Sequence, residues 1–196
     1  MKNSPLNPIR RRDAAATRLA LLKSARAAFA RAGYDGVGVR EIAHGAGVTA
    51  MLVNRYFGSK EGLFAEVVAD TMADPVILSP ANLASPEIGR TFAEALVNLT
   101  DRDASPLDGF LILFRSASSP VAGRIAREEI GRIHHASAMT VAKGEFPAER
   151  AALFLSLVAG IQMMRQMIAL DALATAEPQV LVDLIAPLIR QLLAEA

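Results

Sequence analysis

The chain has 196 residues, 52% of them apolar, with 21 Lys+Arg against 20 Asp+Glu and no cysteine. That length suits one large domain, or a small domain fused to a medium one, with a sizeable core. The missing cysteine excludes disulfides, a thiol nucleophile and a thiolate metal site. No run of about 18 apolar residues escapes polar breaks, so no membrane span is expected, and the basic start lacks the apolar stretch of a secretory signal. These features fit a cytoplasmic protein.

The net charge of +1 conceals an asymmetry. Residues 1–60 hold 11 Lys+Arg and 3 Asp+Glu, and the remainder hold 10 and 17. A basic N-terminal third joined to an acidic remainder points to a polyanionic partner for the first part alone.

In chain order, residues 1–16 carry Pro5, Pro8 and the run Arg10-Arg11-Arg12, and read as a flexible basic arm. Such an arm either reaches a neighbouring groove of a nucleic acid or stays disordered. Helical periodicity starts near Thr17, with Leu19, Leu22, Ala25, Ala28 and Phe29 on one face and Gly33 as the C-cap. Short helices follow over about 39–45, 49–57 and 59–72. Pro75, Pro80 and Pro86 mark a loop and a domain boundary, giving domains over 17–72 and 73–196. Five more helices are expected, over about 87–101, 106–118, 120–142, 147–173 and 177–195. No long period-two alternation and no Asn-Gly hairpin signal occurs, so the fold is expected to be all-α with about nine helices.

Residues 39–58 carry the chemistry. Two helices crossing over a short turn need a small residue at the crossing, a glycine where the turn goes left-handed, and apolar residues to lock the pair. Ala43, Gly47, and Ile42 with Val48 and Val53 supply these in turn, which is the pattern of a helix-turn-helix. Thr49 is expected to N-cap the second helix, and Ser59 the next one. The outer face of the second helix then offers Thr49, Ala50, Met51, Asn54 and Arg55 to a DNA major groove. Arg55 suits a guanine edge or a phosphate, Asn54 an adenine edge, and Met51 or Ala50 a thymine methyl. Tyr56 and Lys60 suit phosphates, which fix position. Arg40, on the first helix of the pair, completes the candidate contacts. Gly38 stands where Ser or Thr would cap that helix, so its cap is weak.

The segment Arg18–Val68 resembles the DNA-binding domain of the TetR family of bacterial regulators. The matching residues are Ala25, Phe29, Gly33 and Tyr34, then Arg40-Glu41-Ile42-Ala43, Ala46-Gly47-Val48-Thr49, Tyr56-Phe57-Gly58-Ser59-Lys60-Glu61, and Leu63-Phe64. Asn54 departs from the family's usual Tyr, whose contact is to phosphate, and Gly38 is a second departure. The resemblance implies a C-terminal helical domain that dimerises and often holds a ligand. It implies a repressor that meets a palindromic double-stranded operator as a homodimer. An enzyme with an appended helical domain is the competing class, but no Gly-rich phosphate loop, Ser-His-Asp order or paired-carboxylate motif stands out, so neither enzymatic activity nor a cofactor is expected. The alternatives are a regulator without a small-molecule ligand, or a sensing or interaction module whose DNA domain has decayed.

Beyond that segment the residues speak for themselves. The stretch 147–173 is nearly apolar all round, and the last helix is strongly apolar, with Pro187 expected to kink it. Either both are buried within one monomer, or Leu153, Ser156, Leu157, Gly160, Met164, Leu181, Leu184, Ile185 and Leu188 meet a second subunit in a four-helix interface. The resemblance implies the latter. Phe92, Leu96, Phe110, Leu113, Phe114, Met139, Met163 and Met167 are candidates for either plain core or a pocket for a small, mostly apolar ligand. Asn98, Arg115, His135, Gln162 and Gln166 are candidates to orient such a ligand. His134 and His135 are adjacent on a helix and so point about 100° apart, which does not make a chelate; no metal is expected.

Overall fold

Every regular element among the described residues is helical. The computed structural model describes residues 8–101, 104 and 107–193. Its first four helices are α1 (Pro8–Ala32), α2 (Val39–Gly45), α3 (Ala50–Phe57) and α4 (Lys60–Met72). Then come α5 (Pro80–Leu83), α6 (Ile88–Leu99), α7 (Asp108–Ser116), α8 (Pro120–Ile130) and α9 (Ala136–Met139). The chain ends with α10 (Pro147–Gln162), α11 (Asp171–Ala174) and α12 (Pro178–Leu193). Single π-helical turns, Gly131–His135 and Met163–Met167, follow α8 and α10. No helix of the described residues is long and apolar enough to cross a membrane.

Two compact units result, one of residues 1–71 with 108–126 and the other of 72–107 with 127–196. In the first, α1 starts at Pro8, ahead of the expected Thr17. Proline suits a first helical turn, and the alanines that follow are the best helix formers. Of the expected arm, residues 1–7 lie outside the described residues. The buried stripe of α1 is Leu21, Ala25, Ala28 and Phe29. Leu19 is half-exposed, because the i, i+4, i+7, i+8 series runs from Leu21 and puts position 19 on another face. Around this stripe, Phe29, Tyr34 and Phe64 form an aromatic cluster, with Phe64 edge-on to each of the other two rings at 5.0 Å.

α7 packs on α1 although about 80 residues separate them in sequence. The Tyr34 amide donates to Ser116 Oγ at 2.9 Å, the Arg115 guanidinium donates to the Ala30 carbonyl, and Arg26 Nε pairs with Asp108 at 2.7 Å. Gly33 makes the approach possible. It has φ +68°, and a Cβ there would lie 2.3 Å from the Arg115 carbonyl oxygen.

In the second unit Phe92, Leu96, Phe154, Leu181, Ile185 and Ile189 belong to one buried core, with the Phe92 and Phe154 rings 5.5 Å apart. α6 and α12 pack along one another. Gly89 permits the contact, since its Cβ would lie 2.7 Å from the Ala186 carbonyl oxygen. Gly89→Ala should therefore overpack this crossing and cost about 1–3 kcal/mol in a denaturant titration. An unchanged midpoint would show that α12 yields freely. α12 continues through Pro187. The expected rod over 147–173 instead breaks after the π turn. Ala169 is left-handed at φ +54°, and Arg165 Nε draws the chain back by donating to the Leu173 carbonyl at 3.1 Å.

Candidate nucleic-acid interface

The turn between α2 and α3 is closed by the backbone. The Gly47 amide donates to the His44 carbonyl at 3.0 Å and the Val48 amide to the Ala43 carbonyl at 2.9 Å. Gly47 has φ +69° and nothing near the position of a Cβ, so glycine is needed there for its conformation and not for space. Ile42, Ala43 and Val53 are buried and lock the pair. A further brace, not evident in the sequence, comes from α1. Ser24 Oγ on α1 donates to the Ile42 carbonyl at 2.8 Å, and a Cβ on Gly45 would lie 2.5 Å from that hydroxyl. A glycine closing α2 was its only signal.

The caps divide. Ser59 accepts from the Gly62 amide at 3.0 Å, as expected, and Gly38 gives α2 no side-chain cap. Thr49 occupies the N-cap position of α3 with extended backbone, but its side chain accepts no cap bond. Its hydroxyl is left exposed, and the bond at this end is the Leu52 amide donating to the Thr49 carbonyl at 3.0 Å. That corrects the expected capping role.

Burial and pairing sort the cations. Arg18 pairs with Glu66 and lies over the Phe57 ring at 5.0 Å, Arg26 pairs with Asp108, and Arg31 pairs with Glu41. Arg40 and Arg55 are exposed, and among the described residues no carboxylate lies within ion-pairing distance of either. Met51 is 77% exposed, and Asn54 is exposed beside it. Ala50 and Tyr56 are half-buried. Lys60 Nζ sits 4.3 Å from the centre of the Tyr34 ring. Burial lowers its pKa, with Asp35 acting in the opposite sense. Its aromatic platform was not read from the sequence, because contact between positions 26 residues apart depends on how α4 packs.

Elsewhere the candidates scatter. Phe92 and Leu96 are wholly buried core. Phe110, Leu113 and Phe114 lie on α7, in the first unit, with the two Phe rings stacked at 6.1 Å. Met139 is partly exposed, and Met163 and Met167 are half-buried in the second π turn. None of the eight lines the cleft of about 760 Å³ in the second unit, which Glu87, Arg90, Lys143, Asp183 and Arg190 help to bound. Among the polar candidates, Asn98 is exposed, Arg115 is committed to Ala30, and His135 Nε2 is 2.9 Å from the Ala148 carbonyl. His134 is held below the usual imidazole pKa by burial.

On α12, Leu181 and Ile185 face inward, 3% and 6% exposed, and are therefore not available to a second copy. The helix is apolar on two faces, and the sequence pattern did not say which one the core takes. Leu184 (65% exposed), Leu188, Val180 and, on α10, Leu153 remain outward. Ser156 is also exposed, while Leu157, Gly160 and Met164 are half-buried.

Residues 21–67 match the family model of bacterial regulatory proteins of the tetR family, and residues 87–193 match that of the tetracyclin repressor-like C-terminal domain. A TetR-family regulator from Streptomyces coelicolor A3 is 23% identical, with 100% of each chain covered and a TM-score of 0.63. A putative transcriptional regulator from Pseudomonas aeruginosa PAO1 is also 23% identical, with 95% of this chain and 92% of that one covered and a TM-score of 0.68. AibR, solved in complex with isovaleryl coenzyme A and operator DNA, is 15% identical over 89% of this chain and 97% of its own, with a TM-score of 0.56. At these identities the likenesses concern the fold. No curated protein matches the chain.

Proposed function

The chain belongs to the TetR family of bacterial transcriptional regulators, and we propose that it acts as a homodimeric, ligand-responsive repressor on a palindromic operator. The observation that carries the DNA-binding part is the outer face of α2 and α3. Arg40 and Arg55 are exposed there without carboxylate partners, alongside Asn54 and Met51, while Arg18, Arg26 and Arg31 are neutralised. In this reading α3 enters the major groove. Arg55 and Asn54 read base edges, and Met51 or Ala50 meets a thymine methyl. Arg40, Thr49, Tyr56 and Lys60 hold phosphates.

Arg55→Ala separates readout from positioning. It should weaken operator binding by about 1–3 kcal/mol and relax preference at one base pair, with the salt slope little changed. A uniform loss across all sequences with a shallower salt slope would reassign Arg55 to phosphate.

The dimer uses the outward face of α10 and α12, with Leu153, Ser156, Leu157, Gly160, Met164, Leu184 and Leu188. Exposed leucines on two packed helices support this, as does Gly160, whose Cβ would meet nothing within 4 Å in the monomer. Two recognition helices then reach half-sites about one helical turn apart. Repression follows from occupying a promoter. Release follows when a small, mostly apolar molecule favours the non-binding state by a few kcal/mol. AibR, solved in complex with isovaleryl coenzyme A and operator DNA, supports a small-molecule ligand and an operator as partners of this fold.

A further inference from the structure

Three polar side chains, those of Thr100, Gln162 and Arg165, are buried where α6 ends and α10 unwinds, and a fourth, that of Gln166, is half-buried. Arg165, in the π turn Met163–Met167, is 6% exposed, and Thr100, at the end of α6, is 1% exposed. Arg165 Nη1 donates to the Val97 carbonyl at 2.9 Å and to Thr100 Oγ1, while its Nε holds Leu173. All three partners are neutral. Among the described residues no carboxylate lies within ion-pairing distance of the guanidinium, although the charge of Asp101 favours it. Burial opposes the cation.

Two glutamines lie at i−3 and i+1 in the chain, and Gln166, like Arg165, reaches the end of α6. Gln166 Nε2 donates to the Leu99 and Ala104 carbonyls at 3.3 Å each, leaving Oε1 buried without a partner. Gln162 is 7% exposed, and its side chain makes no hydrogen bond. Positions 162 and 166 share a helix face, and the wider π turn brings them nearer to register. A buried amide oxygen without a partner, as at Gln166, costs free energy that a plain core residue would not, so this turn is a poor way to build core. Met163 and Met167, adaptable apolar side chains, lie on the same turn.

We infer that Gln162, Arg165 and Gln166 form the polar end of a site for a small, mostly apolar hydroxy acid. The guanidinium and the Gln162 amide take the carboxylate, and Gln166 Oε1 accepts from the hydroxyl. This deepens the ligand-responsive reading above and rests on it. Ligand binding also ties the end of α6 to the turn that follows α10.

The test uses the full-length protein with 3-hydroxyoctanoate as probe and octanoate and 1-octanol as controls. Calorimetry reports binding, and anisotropy reports release of operator DNA. The hydroxy acid should bind wild type about tenfold more tightly than octanoate. Gln166→Leu removes that preference while leaving octanoate affinity in place. Gln162→Leu weakens both acids about tenfold. Gln162→Leu should keep the wild-type helical circular dichroism, because that side chain makes no hydrogen bond. Gln166→Leu also gives up the Nε2 bonds to Leu99 and Ala104, so its fold is checked in the same way, and the wild-type preference between the two acids carries the test if it unfolds. Equal affinities for the two acids in wild type, or a hydroxyl preference that survives Gln166→Leu, overturns the proposal. If 1-octanol alone releases operator, the ligand-responsive reading stands and this site assignment fails. If no probe binds or releases DNA, the hydroxy-acid assignment fails; a wider screen that still releases nothing would remove the ligand reading as well.

Discussion

Gly33→Ala should cost about 3 kcal/mol of stability, whereas Gly47→Ala should cost about 1 kcal/mol. Both glycines sit in the left-handed region, at φ +68° and +69°, so the backbone penalty for a side chain is the same at each. The surroundings differ. A Cβ at Gly47 meets nothing within 4 Å, while one at Gly33 lies 2.3 Å from the Arg115 carbonyl oxygen and 2.8 Å from its carbon. Backbone atoms of a packed helix cannot swing away as a flexible side-chain tip can. α7 must therefore shift, which strains the Tyr34 amide bond to Ser116 and the Arg115 bond to Ala30. For a chain of this size 3 kcal/mol corresponds to a melting temperature lower by about 6–12 °C. Thermal unfolding of the two variants side by side isolates the close approach from the conformational term. Equal losses would mean that α7 is not held against α1 as described.

Leu184→Glu should yield a folded monomer that has lost nearly all operator affinity. Leu184 is 65% exposed and lies outside the buried core of its unit, so the change leaves Leu181, Val182, Ile185 and Ile189 in place. In a two-fold dimer the same residue enters the interface twice. Each copy loses apolar burial and gains a carboxylate that must be desolvated. A weakening of association by at least about a hundredfold is expected, on the order of 3 kcal/mol. A monomer reaches only one half-site, so DNA affinity falls with it. Sedimentation gives the assembly state, and circular dichroism confirms the fold. A variant that stays dimeric would move the interface off α12. Ile185→Glu is the contrasting case, since that residue is core and its substitution should unfold the unit.

The sequence made the helix-turn-helix readable because its constraints are local. Ala43, Gly47 and Val53 lie within a dozen residues, and each answers to a requirement of one short turn. Helix limits there agree with expectation to within a residue or two. What escaped was set by distant contacts. The docking of α7 on Gly33, the Lys60–Tyr34 stack and the brace from Ser24 join positions that no periodicity links. α12 failed for a different reason. Its apolar residues cover both faces, so the pattern could not distinguish Leu184 from Ile185. Gln162 and Gln166 stand out as polar residues in an apolar stretch, but Arg165 does not, and the π turn that follows α10 leaves no mark in the composition.

The most direct test of a sequence-reading dimer is an anisotropy titration of the protein against DNA flanking its own coding region, with scrambled DNA as control and salt varied. The account predicts tight binding that resists competitor, with two subunits on each palindromic site. Equal, weak and steeply salt-dependent binding to the flanking DNA, to scrambled DNA and to operators selected from a random pool would contradict it, and would reduce α3 to part of a basic patch.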